Sequence, residues 1–364
     1  MAGKDKYWEK YTNLQRVKHA LIREYLNGWF PKLGFWSGRI LYLDTYAGAG
    51  EHTKGEKGSP VVALSTFLGH KSRDAILENS EVIFHFFEID QRNVEALKKV
   101  VEQSGELPRR VMVRIHEADC ENVLEALLDG LDKDGKRMAP AFAFVDPFGF
   151  KIQYGLLARL MKYEHVEVFV NVIWYELGIA TRSAPKGKGK VGRETLDYIF
   201  GGEQWCERIT AEPDEERLRQ TLAFIKDILG ARWMTSVEML NEKNRPQHVL
   251  AYFTNHPDGR DLMKSAMWKH CRAVNAGFVA RKAEPGLELF PGEAPDLSDL
   301  TKLVVAALQG GPLRWSDLSD VVGDTPVWMD RHLRSVLIAL RNEKRIECGG
   351  GHLGPKHNQL IRLK

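Results

Sequence analysis

Ten residues from Leu41, reading Leu-Tyr-Leu-Asp-Thr-Tyr-Ala-Gly-Ala-Gly, constrain the fold of this chain more than any other stretch. An apolar run ends on Asp44 and passes directly into Gly48 and Gly50. That pattern predicts a buried strand whose carboxyl end opens into a turn that brings backbone close to a ligand. A strand buried on both faces needs helices above and below it, so the class is α/β. The dinucleotide fingerprint G-x-G-x-x-G also follows a first strand, but it requires a third glycine so that the next helix can pack close to the sheet. Glu51, His52 and Thr53 follow Gly50 instead. A nicotinamide-dependent oxidoreductase is therefore the weakest of the functional readings.

The second informative stretch is Ala141 to Phe150, an apolar strand followed by Asp146-Pro147-Phe148-Gly149. Open α/β sheets bind ligands at the carboxyl ends of their strands, which is where this tetrapeptide falls. Its residue types suit an amino group on a nucleobase, whose nitrogen is a poor nucleophile because its lone pair is delocalised into the ring. A carboxylate at Asp146 and a carbonyl at Pro147 can both accept its N–H bonds and draw the nitrogen toward tetrahedral geometry. Proline fixes φ and holds that carbonyl in a rigid turn. Phe148 supplies a stacking face worth roughly 1–3 kcal/mol per base, comparable with the few kcal/mol needed to unstack a target. The plain alternative is an Asp-Pro turn that only ends a strand. The first motif, Asp44, Tyr46, Gly48 and Gly50, resembles D-x-F/Y-x-G-x-G of S-adenosylmethionine methyltransferases. The second resembles the D/N/S-P-P-Y/F tetrapeptide of amino-group methyltransferases, and more closely the D-P-F-G form of tRNA guanine-N2 methyltransferases.

Two strands lie between these motifs. Glu81 to Asp90 ends in Glu88 and Asp90, and an acid at the end of a second strand commonly holds ribose hydroxyls; Glu88 is the expected one. The interval from Gly50 to Glu88 exceeds the usual spacing of about twenty residues, which predicts an insertion at Glu51 to Ser59 before a helix opening at Pro60. Val111 to Asp119 reads as the third strand. Asp119 is either placed to accept from an adenine amine or is an N-cap, since Glu121 and an apolar run follow it.

At 364 residues and 43% apolar content the chain can bury a normal core and suits two domains. It has no apolar run of membrane-spanning length, and its first residues are charged and aromatic where a signal peptide needs an apolar core. Cys120, Cys206, Cys271 and Cys348 are isolated and none has histidines at zinc-ligand spacing. These features predict a cytoplasmic protein without a metal. Net charge is +3, and the excess sits in residues 298–364, where ten Lys and Arg oppose seven Asp and Glu. In the electrically neutral remainder, the stretch 182–193 carries Arg182, Lys186, Lys188, Lys190 and Arg193 with no acid. Its Gly, Pro and Ser content predicts an irregular loop on the rim of the Asp146 turn, either a phosphate clamp or a solvated loop.

Leu14, Val17, Leu21 and Tyr25 recur at helical spacing, predicting a helix over 12–27 with Lys18 and His19 beside its packing stripe. Strands are expected at 233–240 and 248–255, a hairpin of the kind that closes a methyltransferase sheet. His256-Pro257 then turns into a helix whose Met263, Met267 and Trp268 read as core. Three prolines and four acids in 284–297 mark a boundary. Beyond it come helices around 300–308 and 315–322, and a third opened by Thr325-Pro326 as N-cap and first-turn proline. A hairpin, 346–348 with 360–363, completes a winged-helix pattern. Arg331, Arg334 and Arg341 lie along one flank of the third helix, facing either a nucleic acid or solvent.

Across nearly its whole length the chain resembles the three-Cys-motif partner protein family, a bacterial methyltransferase-like family. The likeness rests on the Lys18-His19 helix, 43–50, Gly58-Ser59-Pro60, 87–90, 144–149, and His256-Pro257 with Met263 and Trp268. The front of the domain, 42–50 with the Lys-His helix, is also similar to a bacterial 23S ribosomal RNA adenine-N6 methyltransferase. That class carries D-P-P-Y where this chain has Asp146-Pro147-Phe148-Gly149. The resemblance implies a Rossmann-like class I methyltransferase sheet over 1–285, a linker over 286–297 and a winged-helix domain over 298–364. It also implies S-adenosylmethionine bound by Lys18, His19, Asp44, Tyr46, Gly48, Gly50, Glu88 and Asp119, with Asp146, Pro147 and Phe148 catalytic. The partner it implies is a three-Cys-motif protein resembling radical S-adenosylmethionine proteins. Two readings follow: a methyltransferase for an exocyclic amino nitrogen of DNA or RNA, or an inactive nucleic-acid-binding adaptor that recruits that partner.

Overall fold

A computed structural model describes residues 12–274, 277–281, 295–349 and 352–364. The chain opens with α1 (Asn13–Gly34), whose N-terminus is closed by a reciprocal Thr12/Gln15 capping box. The helix outruns the expected 12–27 because Trp29 and Phe30 are buried and carry it through Pro31. A proline at 31 leaves the Asn27 carbonyl without its helical donor, and the His70 Nε2, 3.0 Å away, occupies that place.

The elements then run β1 (Arg39–Asp44), α2 (Ser59–Leu68), α3 (Arg73–Asn79), β2 (Glu81–Glu88), α4 (Gln91–Glu102), β3 (Val111–Glu117), α5 (Cys120–Asp134), β4 (Ala141–Val145), α6 (Tyr154–Met161), β5 (Val166–Val172) and α7 (Trp174–Ser183). They continue with α8 (Arg193–Phe200), α9 (Trp205–Arg208), α10 (Asp214–Leu229), β6 (Trp233–Leu240), β7 (Pro246–Thr254), α11 (Pro257–His270), β8 (Arg272–Val274) and β9 (Gly277–Arg281). The nine strands form one sheet in the order β3-β2-β1-β4-β5-β7-β6-β9-β8. β1 to β5 are parallel, and β7 enters antiparallel beside β5. This is the expected sheet with its closing hairpin, lengthened by β9 beside β6 and β8 at the edge. The β8–β9 ribbon was not foreseen, because its strands are only three and five residues long.

Burial on both faces shows in β4, where Ala141, Ala143 and Val145 face one core and Phe142 and Phe144 the other. α1, α2 and α11 cover the second face. The long interval after Gly50 is split between a loop over 51–58, pinned by a Glu51–Lys57 bridge, and the additional helix α3.

After residue 295 come α12 (Ser298–Gln309), β10 (Leu313–Arg314), α13 (Trp315–Gly323), α14 (Asp330–Asn342), β11 (Ile346–Cys348) and β12 (Leu360–Leu363). The three helices and the antiparallel β10-β12-β11 sheet enclose their own apolar cluster around Leu300, Trp315, Leu337 and Ile361. Most of the expected linker, 286–294, lies outside the described residues. α14 starts at Asp330, five residues after Thr325, because the segment between makes other bonds. The buried Lys264 of α11 donates to the carbonyls of Gly323, Thr325 and Trp328 at 2.9, 2.7 and 2.8 Å. Trp268 donates to Val327 O, and Arg260 reaches Ser319 and Asp330. Carbonyls turned toward a lysine cannot open a helix, so Thr325-Pro326 remains a loop in which Thr325 Oγ1 accepts from the Trp328 amide. Met263 and Met267 are core, as read, and Trp268 links the two units.

Candidate active site

The sheet grows outward from β1 through β2 to β3, then returns to the other side of β1 for β4. Switch points of this kind open a crevice at the carboxyl ends of the two central strands. Asp44 ends β1 opposite Phe144 of β4, so Asp146, two residues on, lies at the same rim. The two motifs separated by a hundred residues in sequence are thus neighbours.

The first loop leaves the sheet by bonding both neighbouring strands: the Thr45 amide donates to Phe144 O at 3.0 Å and the Ala47 amide to Phe87 O at 2.9 Å. Gly48 and Gly50 then take φ of +64° and +80°, conformations that favour glycine. Gly50 and Gly58 pack backbone on backbone: the Gly58 amide donates to Gly50 O at 2.7 Å, and a Cβ on Gly58 would lie 2.9 Å from that oxygen. α2 starts there, one residue before the expected Pro60.

Asp146 is the most heavily bonded side chain of the second loop. The buried Lys18 of α1 forms an ion pair with its Oδ2, and Asn171 at the end of β5 donates to Oδ1 at 2.7 Å. The Lys18 ammonium also sits over the Phe144 ring, 5.8 Å from its centroid. Pro147 is buried, whereas Phe148 is 46% exposed. Asp44 is wholly buried, and burial pushes its carboxyl up to about 7; the nearby Asp146 adds to the rise, while the Ser59 and Tyr42 hydroxyls and Lys18 oppose it. His19, next to Lys18, is held well below the usual imidazole range by burial and by the charge of Lys18. Tyr46 is half-buried against Cys120, whose thiol burial pushes up to about 12.

Glu88 ends β2 and accepts the Asp90 amide on Oε1 at 2.7 Å, while Asp90 caps α4. Asp119 accepts the Glu121 amide at 2.9 Å as the N-cap of α5, the second of its two readings. Lys18, His19, Asp44, Tyr46, Gly48, Gly50 and Asp146 to Phe148 converge on one rim with Glu88 and Asp119 at the ends of the adjoining strands.

Sequence reasoning missed three contributors. Asn171 is a buried polar residue in β5, whose other residues apart from Glu167 are apolar, and that interruption was the available signal. His248 of β7 feels the charges of Asp146, Lys18 and Glu176. Tyr175 of α7 packs its ring 6.2 Å from that of His248 and donates to Glu176 Oε1. Nothing in the local sequence tied either to Asp146.

The stretch 182–193 is not one loop. Arg182 lies in α7 and pairs with Asp214, Lys186 ends a short 3-10 turn and meets Glu212, and Arg193 opens α8 and donates to Cys206 Sγ. Acids distant in sequence have taken up two of the five cations, leaving Lys188 and Lys190 exposed on the connecting segment. Arg331, Arg334 and Arg341 are all exposed along α14, with Arg334 5.9 Å from the centroid of the Trp315 ring.

No protein-family model and no curated relative matches this chain. Among solved structures, protein LPL1258 from Legionella pneumophila is 14% identical, covering 65% of this chain and 85% of its own, with a TM-score of 0.36. The cyclopropane synthase MmaA2 from Mycobacterium tuberculosis is 12% identical over 67% of this chain and 68% of its own, TM-score 0.28. PKMT2 from Rickettsia typhi, solved in complex with AdoHcy, is 11% identical over 89% of this chain and 73% of its own, TM-score 0.28. Likenesses of this size carry no argument about the reaction, which rests on the sheet order and the rim.

Proposed function

We propose that this chain is an S-adenosylmethionine-dependent methyltransferase acting on an exocyclic amino nitrogen of a DNA or RNA base. The observation that carries the reading is the Lys18–Asp146–Asn171 cluster at the switch point, beside the glycine turn of β1. The turn fits the cofactor, because the positive φ of Gly48 and Gly50 turns the chain sharply off the end of β1 at this rim, and Glu88 stands at the end of β2 where ribose hydroxyls are held. When bound, S-adenosylmethionine supplies an electrophilic methyl group on sulfonium.

The chain's own residues do the rest. Lys18 and Asn171 fix the Asp146 carboxylate in one orientation, and each of its oxygens retains acceptor capacity for an amine N–H. Asp146 and the Pro147 carbonyl accept the two N–H bonds and aim the nitrogen lone pair. Phe148 offers its exposed ring to the base. The three helices and small sheet after residue 295 fit a winged helix whose Arg331, Arg334 and Arg341 would contact phosphates, and the family resemblance supplies a three-Cys-motif protein as partner.

The test is methyl transfer from labelled S-adenosylmethionine to pooled DNA and RNA, with and without the partner, for the wild type and Asp146→Ala. Transfer by the wild type that Asp146→Ala abolishes is the expected result. Transfer retained by Asp146→Ala defeats the mechanism. Nucleic-acid binding without transfer in the presence of the partner favours the adaptor reading.

A further inference from the structure

At the opposite rim of the sheet, Glu167 of β5 is 5% exposed, and the groups that hydrogen-bond its carboxyl are all neutral: hydroxyls and the Trp29 side chain. Tyr25 donates to its Oε2 at 2.5 Å, Thr254 donates to its Oε1 at 3.1 Å, and the Tyr252 hydroxyl lies 2.6 Å from that of Tyr25. Among the described residues, no lysine, arginine or histidine forms an ion pair with it. A buried carboxylate without a cation is unusual, because desolvating a charge costs several kcal/mol unless an opposite charge answers it.

Glu167 lines a cavity of about 350 Å³ that opens to the surface beside α1 and the start of α11. This lies within the roughly 300–1,000 Å³ of small-molecule sites. Its walls are aromatic and apolar: Trp29, Trp36, Leu33 and Leu262. Trp36 is 58% exposed and fixed in place by donating to Lys32 O at 2.7 Å. Its ring packs 5.3 Å from that of His165, which in turn lies 5.6 Å from that of His256. His165 holds φ at +61°, a backbone conformation that few non-glycine residues adopt. The one lysine of the lining, Lys32, pairs with Asp258 at 2.8 Å and does not reach the carboxylate. Gly259 keeps the floor open to Glu167, since a Cβ there would fall 2.0 Å from Oε1.

We propose that this cavity binds a compact organic cation, an ammonium or guanidinium group on a short apolar stem, with Glu167 as its counter-charge and Trp29 and Trp36 as its walls. Indole faces attract such cations, and the carboxylate supplies the charge that its hydroxyl partners do not. The site is separate from the Asp146 rim: Glu167 and Asn171 are four residues apart on one face of β5, about 13 Å at strand rise. The inference does not rest on the methyltransferase reading.

The experiment is calorimetric titration of the full chain with butylguanidinium and with butylurea, which has nearly the same shape and no charge. The guanidinium should bind saturably and at least tenfold tighter than the urea. Glu167→Gln should cut that preference below twofold. Trp36→Ala, at an exposed position with no role in the core, should weaken guanidinium binding at least threefold while keeping the preference. Equal affinity for the two probes, a preference that survives Glu167→Gln, or binding unmoved by Trp36→Ala overturns the proposal; the last holds even where Glu167→Gln fails to fold.

Discussion

Asp146 and Glu167 both face α1, one in its first half and one at its middle, and the fold treats them in opposite ways. Lys18 answers Asp146 with a full positive charge, while two turns further along the same helix Tyr25 offers Glu167 only a hydroxyl. Burial, the largest influence on Glu167, pushes its carboxyl up against the pull of the Tyr25, Tyr252 and Thr254 hydroxyls. Lys264 is the mirror case, a buried ammonium whose acceptors are three backbone carbonyls rather than a carboxylate. A charge with its own counter-charge is oriented and ready to act, whereas a charge satisfied only by dipoles either holds structure together or awaits a ligand. Lys264 does the former and joins the two units; Glu167, beside an open cavity, fits the latter.

The comparison breaks most directly at Lys18. Lys18→Met strands the Asp146 carboxylate in a mostly buried site and should cost about 3–5 kcal/mol in urea unfolding. Adding Asp146→Asn should recover part of that loss, and a double variant no better than Lys18→Met alone would mean the pair is not coupled. Lys264→Met removes the shared donor of three carbonyls and should cost about 3 kcal/mol; a loss below about 1 kcal/mol would show that water satisfies those carbonyls.

The pH dependence sharpens the contrast. Asp44 has a folded pKa near 7, raised from 3.8, so between those values the folded state holds a proton that the unfolded state has lost. Its contribution to stability is therefore present below about pH 4 and is lost as pH rises through 7, by at most about 1.4 kcal/mol per pH unit. Asp44→Asn should flatten that part of the stability profile, and an unchanged slope would assign it to other groups. The smallest effect belongs to Tyr25→Phe, which removes one donor from Glu167 and should cost about 1 kcal/mol. A loss as large as that of Lys18→Met would show that the hydroxyl network matters to Glu167 as much as the ion pair does to Asp146.

Local patterns carried much of the architecture. Apolar runs placed β1 to β4, β6 and β7 close to their observed bounds, because a strand packed into the core cannot hide its composition. Glycines and an Asp-Pro turn marked the carboxyl ends of β1 and β4 for the same local reason. Helix limits were less legible. The first helix, expected over 12–27, runs on because Trp29 and Phe30 are buried and His70 takes the carbonyl that Pro31 frees. Thr325-Pro326 looked like a helix start until Lys264 claimed its carbonyls. The basic stretch 182–193 looked like a free clamp because Asp214 and Glu212, which occupy Arg182 and Lys186, lie some thirty residues downstream.

By itself the sequence determined the α/β class, the strands of the central sheet and the two rim motifs, all of which depend on residues within about ten positions of one another. Which charges meet is set by packing in three dimensions. Lys18 reaches Asp146 across 128 positions and Tyr25 reaches Glu167 across 142. Coulombic and hydrogen-bond energies depend on distances of a few ångströms in space, and no separation along the chain encodes them.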